Sequence, residues 1–423
     1  MTFLRSGYSD GIDFFQGQAP SKLIAEFGSP LYVYNEKILR ERCRELKKLS
    51  SHDGFVVSYS VKANSNPALL AIIRDEGLLC DAMSPGELAM DIMAGYEPAH
   101  ILYIANNITR EEMLHALEKG CIVSVDSLSQ LELLGSLKPG ANVMARINPG
   151  IGEGHHVKVV TGGADSKFGI SPENLPDVAE IVARHDLRLA GINQHIGSLF
   201  MRPDKFLEAA QTLLQLVDHL PRSLYGNLAI IDFGGGFGIP YHKYEREERL
   251  NMDELGHALH GLISDWSAIS SFRGNFVVEP GRYVVAECGL LLGQVTATKQ
   301  NGHKRFAGTD IGFNVLMRPM LYGSWHDIEI YAEREPEKEI PQTVVGNICE
   351  SGDIIAKDRL LPRLEPGDVI GILDAGAYGF SMASSYNERL LPAEILLTES
   401  RKVKLIRKRQ TIADLTASLP VDD

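Results

Sequence analysis

The 423-residue chain contains no Cys-x-x-Cys pair, and its five cysteines, Cys43, Cys80, Cys121, Cys288 and Cys349, fall at no metal-like spacing. That excludes a zinc site and a disulfide framework, and a reducing, cytoplasmic location is the expectation. No uninterrupted apolar run reaches the roughly 18 residues of a membrane-spanning helix, and the opening MTFLRSGYSDGIDFF has no long apolar stretch. A basic face is also missing. With 42 Lys and Arg against 55 Asp and Glu the formal charge is −13, the wrong sign for a protein that neutralises nucleic-acid phosphates. The short basic runs at 401–404 and 408–409 read as solvated surface. There is no internal repeat and no low-complexity segment.

What is present suits a soluble enzyme of two domains: 44% hydrophobic and 23% charged residues over a length too great for one ordinary core. Between about 36 and 282, short β-branched apolar runs alternate with longer amphipathic stretches. The runs are 55–60, 78–82, 101–104, 122–125, 142–147, 189–194, 228–231 and 276–279. Eight such alternations match the size of a (β/α)8 TIM-type barrel; an open doubly wound sheet is the competing α/β arrangement, because alternation does not reveal closure. Beyond about 285 the texture becomes strand and turn. A second, mainly antiparallel β domain of sandwich or barrel type is expected from residues 1–35 plus 283–423.

The unusual residues fall at the ends of those runs. Lys62 ends the first, in Ser58-Tyr59-Ser60-Val61-Lys62-Ala63-Asn64, and His195 ends the sixth, ahead of Ile196-Gly197-Ser198. Gly234-Gly235-Gly236-Phe237-Gly238 follows the seventh, and Glu279-Pro280-Gly281-Arg282 ends the eighth. Barrel active sites form at the C-terminal ends of the strands, so these four features converge on one rim. A strand-end lysine is ordinarily solvated; in a desolvated rim it becomes the amine a Schiff base requires. The glycine loop reads as a phosphate cradle or as a tight turn, and it is neither a P-loop nor a dinucleotide fingerprint. Glu279 is either paired with Arg282 or available to a protonated pyridine nitrogen. His195 is either a satisfied core histidine or a platform for a cofactor ring. In the β domain, Gly346-Asn347-Ile348-Cys349-Glu350-Ser351-Gly352-Asp353 is too polar for core, and Tyr378 stands in Asp374-Ala375-Gly376-Ala377-Tyr378-Gly379.

Taken in order, these motifs resemble the barrel-type, alanine-racemase-like pyridoxal-phosphate (PLP) decarboxylases, and within them the branch acting on diaminopimelate. Ser166-Lys167-Phe168-Gly169, Arg318-Pro319-Met320-Leu321-Tyr322-Gly323 and Ser381-Met382-Ala383-Ser384 complete the set, which spans nearly the whole chain. The resemblance implies pyridoxal 5'-phosphate as a Schiff base on Lys62 and His195 stacked on its ring. It implies Gly235, Gly236, Ser198 and Tyr378 at the phosphate, and Glu279 at the ring nitrogen. Arg282, Arg318, Tyr322, Glu350 and Tyr378 are implied at the substrate, with Cys349 as the acid that reprotonates after CO2 leaves. A homodimer with shared active sites is implied too, since Cys349 and Glu350 reach the other subunit's site in relatives. No metal, nucleic acid or membrane partner is implied. Arg318 favours a second carboxylate, hence meso-2,6-diaminopimelate as substrate and L-lysine as product. The sequence departs from the family pattern at Leu199, Asn347, Ser385 and Glu388-Arg389-Leu390-Leu391. Those departures leave open another amino-carboxylate substrate, such as a carrier-bound, siderophore or polyamine intermediate. An amino-acid racemase, opposed by Glu279, and a non-catalytic PLP-binding protein, opposed by the β domain, are the remaining alternatives.

Overall fold

The computed structural model describes residues 3–150, 153–154, 166–270, 272–335 and 338–420. Eight parallel strands close into a barrel. They are β1 (Phe55–Tyr59), β2 (Leu79–Ala82), β3 (Ile101–Ile104), β4 (Ile122–Val125), β5 (Asn142–Arg146), β6 (Arg188–Asn193), β7 (Ile230–Asp232) and β8 (Asn275–Val278). β8 pairs with β1 through Phe276–Phe55 and Val277–Val56, which completes the circle and rules out the open sheet. Strands buried on both faces need continuous apolar runs, which is why these segments do not alternate. The interior is packed: Leu102, Ile104, Met144 and Val277 form its core, with Val56, Met83, Ile122 and Ile230 against them. Gly191 on β6 makes room for Met144, whose Cγ would lie 2.8 Å from a Cβ at that position.

Several helices of this barrel begin on a side-chain cap supplied by the sequence. Asn66 accepts from Ala68 N–H ahead of Pro67–Asp75, and Ser84 accepts from Glu87 N–H ahead of Pro85–Met93. Thr109 and Glu112 form a reciprocal capping box before Arg110–Lys119. Asn251 caps the 18-residue helix Met252–Ile269. Short, firmly capped loops hold the strand-end side chains in fixed positions.

The chain divides into two compact units, residues 40–239 with 248–284, and residues 1–39 with 240–247 and 285–423. The second unit is built on the 13-residue strand Gly289–Asn301. That strand pairs antiparallel with Leu31–Asn35, Val369–Ile372 and Lys304–Thr309. Two contacts are parallel, Leu31–Asn35 with Ala393–Leu397 and Lys304–Thr309 with Ile340–Val345, so the sheet is mainly rather than wholly antiparallel.

The compact units differ from the contiguous 36–282 span: residues 36–39 lie with the β unit, 283–284 with the barrel, and 240–247, inside the span, lie with the β unit. For 240–247 the reason is electrostatic. Buried Lys243 reaches Glu287 at 2.6 Å and Asp374 at 3.5 Å, and Tyr244 Oη donates to Glu329 at 2.6 Å. A second correction concerns the basic tail. Val403–Arg407 is a strand, and Arg409 donates to the carbonyls of Phe27 and Pro30 rather than only meeting solvent.

Candidate active site

In the barrel unit the sequence around Lys62 makes physical sense residue by residue. β1 ends at Tyr59, and Val61–Ala63 forms a single tight turn that presents Lys62, half-buried. Asp81, at the end of β2 and fully buried, holds that turn: its Oδ2 accepts from Ser60 Oγ at 2.8 Å and its Oδ1 from Val61 N–H at 2.9 Å. Tyr59 Oη donates to Asn64 O at 3.0 Å, closing the turn from the other side. Lys62 therefore stands among acids, close enough that its charge stabilises the ionised forms of Asp81, Glu87 and Glu279. Asp81 and Glu279 beside it are both buried.

His195, after β6, accepts a hydrogen bond from Gly235 N–H on its Nδ1 at 3.3 Å, while the ring's contact with the Gly197 backbone fixes its orientation. An Nδ1 that accepts carries no proton, so the imidazole is neutral. Burial, then the charges of Lys62 and Arg146, push its pKa well below the usual value, in agreement. A neutral, immobilised ring offers a flat face at the barrel mouth.

Glu279 does not pair with Arg282. Its Oε2 lies 4.0 Å from His195 Nδ1, and Arg282 Nη2 donates to Ser198 Oγ at 2.8 Å. Burial, then the neighbouring Asp232, raise the Glu279 pKa well above the carboxylate range. Burial likewise pushes Asp232 up to about 7, against a 2.8 Å bond from Gly234 N–H to its Oδ1. Glu279 Oε1 and Asp232 Oδ2 are buried with no nitrogen donor among the described residues. Two adjacent buried carboxyls favour one shared proton. A positively charged N–H brought into this mouth would give one of these oxygens its donor and offset the buried charge, so the pocket fits a protonated pyridine ring.

The glycine loop has a stricter cause than a phosphate alone. A Cβ on Gly235 would lie 1.8 Å from Glu279 O, and one on Gly234 2.3 Å from Gln194 O. Their N–H groups are committed to His195 and Asp232. Gly235 therefore packs and orients the ring-side residues, and Gly236, at φ +112°, has the backbone conformation that favours glycine. Ser198, in the short strand Gly197–Ser198, is half-buried and already meets Arg282.

The structure places the other expected residues in the β unit. Arg318 and Tyr322 share one face of the single-turn helix Arg318–Tyr322, four residues apart. Arg318 is 1% exposed, with its guanidinium 4.6 Å from the Tyr241 ring centroid. Cys349 is the one exposed cysteine of the five. Its N–H donates to Asn387 Oδ1 at 2.8 Å, and Glu350 accepts from Tyr386 Oη at 2.9 Å. Asp353, in contrast, is buried and structural, accepting from Phe313 N–H and Ile348 N–H. Tyr378 sits at φ +56° and Asp374 at φ +55°, a strained pair of the kind that persists at functional turns.

Asp81, Arg146, Asp232, His326, Tyr386 and Asn387 were not picked out by sequence. The one signal they carry is a polar residue at the end of an apolar run, which Asp81, Arg146 and Asp232 all show.

The family described as “Pyridoxal-dependent decarboxylase, pyridoxal binding domain” matches residues 36–286. The chain belongs to the pyridoxal-dependent decarboxylases. Among relatives of known name, a diaminopimelate decarboxylase of Methanothermobacter thermautotrophicus is 42% identical over 401 residues, 93% of this chain and 92% of that protein. A diaminopimelate decarboxylase crystal structure superposes with a TM-score of 0.87 at 33% identity, covering 96% of this chain and 98% of that one. The Helicobacter pylori enzyme complexed with L-lysine superposes at 0.85 and 31% identity over 94% of this chain and 98% of that one. As in this family, the cofactor is pyridoxal phosphate, and the barrel with its added β unit is the family's fold.

Proposed function

We propose that this decarboxylase converts meso-2,6-diaminopimelate to L-lysine and CO2, the lysine-forming step of lysine biosynthesis. The observation that carries decarboxylation is the buried Glu279–Asp232 pair at the barrel mouth, a proton-bearing acid where a racemase would place a guanidinium. When bound, PLP supplies the electron sink that accepts the bonding pair of the breaking Cα–carboxylate bond.

The chain's own residues do the rest. Lys62 Nζ is the amine that attaches the cofactor, and Asp81 fixes the turn that aims it. Glu279 would face the ring nitrogen and keep it protonated, with Asp232 beside it sharing the load of buried charge. His195, neutral and locked, covers one ring face. Gly236, Ser198 and Tyr378 take the phosphate. Arg282, Arg318 and Tyr322 read the carboxylate at the far end of the substrate, with Glu350 and Tyr378 beside it. Cys349 returns a proton to Cα: one C–C bond breaks, CO2 leaves, one C–H bond forms, and one proton is consumed. Exposed Cys349 and Glu350 suit a homodimer in which each subunit completes the other's site, and a cytoplasmic enzyme.

Product analysis tests this reading. From meso-diaminopimelate the holoenzyme should release CO2 and L-lysine in equal amounts. Racemised diaminopimelate without CO2 would contradict it.

A further inference from the structure

Within the β unit a buried polar chain leads from Arg318 to His326, a histidine with no part in the function described so far. Arg318 Nη1 lies 2.7 Å from His326 Nε2, and His326 Nδ1 lies 2.7 Å from Leu373 O. A carbonyl oxygen only accepts, so His326 Nδ1 must carry the ring proton. A guanidinium only donates, so His326 Nε2 must offer its lone pair to Arg318. Protonating His326 would set N–H against N–H at 2.7 Å, and the pairing therefore requires the neutral Nδ1–H form. Both residues are 1% exposed.

The imidazole is itself immobilised. Tyr241 meets it edge-on at 5.3 Å and 79°, and Arg359 Nη1 donates to the His326 carbonyl at 2.9 Å. Tyr241 also lies under the Arg318 guanidinium at 4.6 Å. Tyr241 and His326 thus both hold the guanidinium, one through its ring and the other through Nη1. Carboxylate recognition by arginine depends on that orientation, because the two parallel N–H bonds have fixed geometry.

We infer that His326 is a positioning residue for carboxylate recognition: its neutral Nδ1–H form, anchored on Leu373 O, orients Arg318 for the distal carboxylate of the substrate. This rests on the proposed role of Arg318. It adds a specificity determinant that touches no substrate itself.

L-lysine and cadaverine test it, since they share the chain and the reacting amine and differ only in the carboxylate. Their binding to purified holoenzyme is measured by titration calorimetry in wild type, His326→Gln, His326→Asn and His326→Leu. A glutamine places an acceptor near the Nε2 position; asparagine and leucine do not. Wild type and H326Q should bind lysine within about threefold of each other, whereas H326N and H326L should lose roughly 10-fold or more. Cadaverine affinity should be the same in all four. A merely structural histidine would shift both ligands together, and that result overturns the inference, as does unchanged lysine binding in H326N and H326L. If H326L does not fold, the H326Q against H326N comparison decides. If wild-type enzyme itself fails to prefer lysine over cadaverine, the Arg318 reading fails first and takes this inference with it.

Discussion

At the scale of single residues, some groups react and others hold them in place. Lys62→Ala should abolish CO2 release and remove the visible absorption of the bound cofactor; a variant retaining both would place the attachment elsewhere. Cys349 acts after the carboxylate has left, so Cys349→Ala should lower kcat by about 100-fold with KM little changed, as expected when a general acid is removed. Steady-state kinetics distinguish this from a binding role, in which KM would rise instead. The reacting groups were legible in the sequence because each stands out from its surroundings: a lysine and a glutamate ending apolar runs, and a thiol beside two carboxylates. Their holders were not. Asp81 matters through Val61, 20 residues away, and Asp232 through Glu279, contacts that only folding brings about. The Glu279–Arg282 pairing looked natural from adjacency, yet the structure turns Arg282 to Ser198.

At the scale of elements, the eight barrel strands were readable because burial on both faces demands unbroken apolar runs, which few other structures need. The β unit was harder. Strand Ile354–Leu361 carries Lys357-Asp358-Arg359 in its middle, and Asp358 at φ +46° interrupts the alternation that would have marked it. Val403–Arg407 was masked by its charge, which is what an edge strand uses to stay unpaired. Three of the departures from the family pattern fall on one pair of segments. Arg389 Nη2 donates to Asn347 O at 3.1 Å, while Asn387 and Tyr386 hold Cys349 and Glu350. The segment 386–389 therefore braces the thiol turn. Asn387→Ala removes one exposed bond of about 1 kcal/mol, enough to lower kcat roughly 5-fold. Melting temperature should hardly move, because the turn is at the surface. A matching loss of stability would mean that the segment serves the fold instead.

At the scale of the whole molecule, burial dominates the electrostatics. Asp91, on the helix Pro85–Met93, is fully buried, and no nitrogen or oxygen donor among the described residues reaches either carboxyl oxygen. Burial, with Asp81 nearby, pushes its pKa up to about 8. The unfolded chain releases that proton near the ordinary value of 3.8, so the folded state binds the extra proton between the two. The associated stability is complete below about pH 4 and is lost as pH rises towards 8. Asp91→Asn should therefore unfold at higher denaturant than wild type at pH 8, by about 1–3 kcal/mol, with the gap closing towards pH 5. A gap that widened in acid would reverse the sign and the explanation.

Arg318 bears most directly on which substrate the assembled enzyme consumes. The most direct measurement is kcat/KM for CO2 release from meso-diaminopimelate, L-lysine and L-ornithine by the same holoenzyme preparation. A buried guanidinium oriented for a distal carboxylate predicts strong preference for diaminopimelate, with little turnover of the two diamines. Comparable or better turnover of lysine or ornithine would contradict the account.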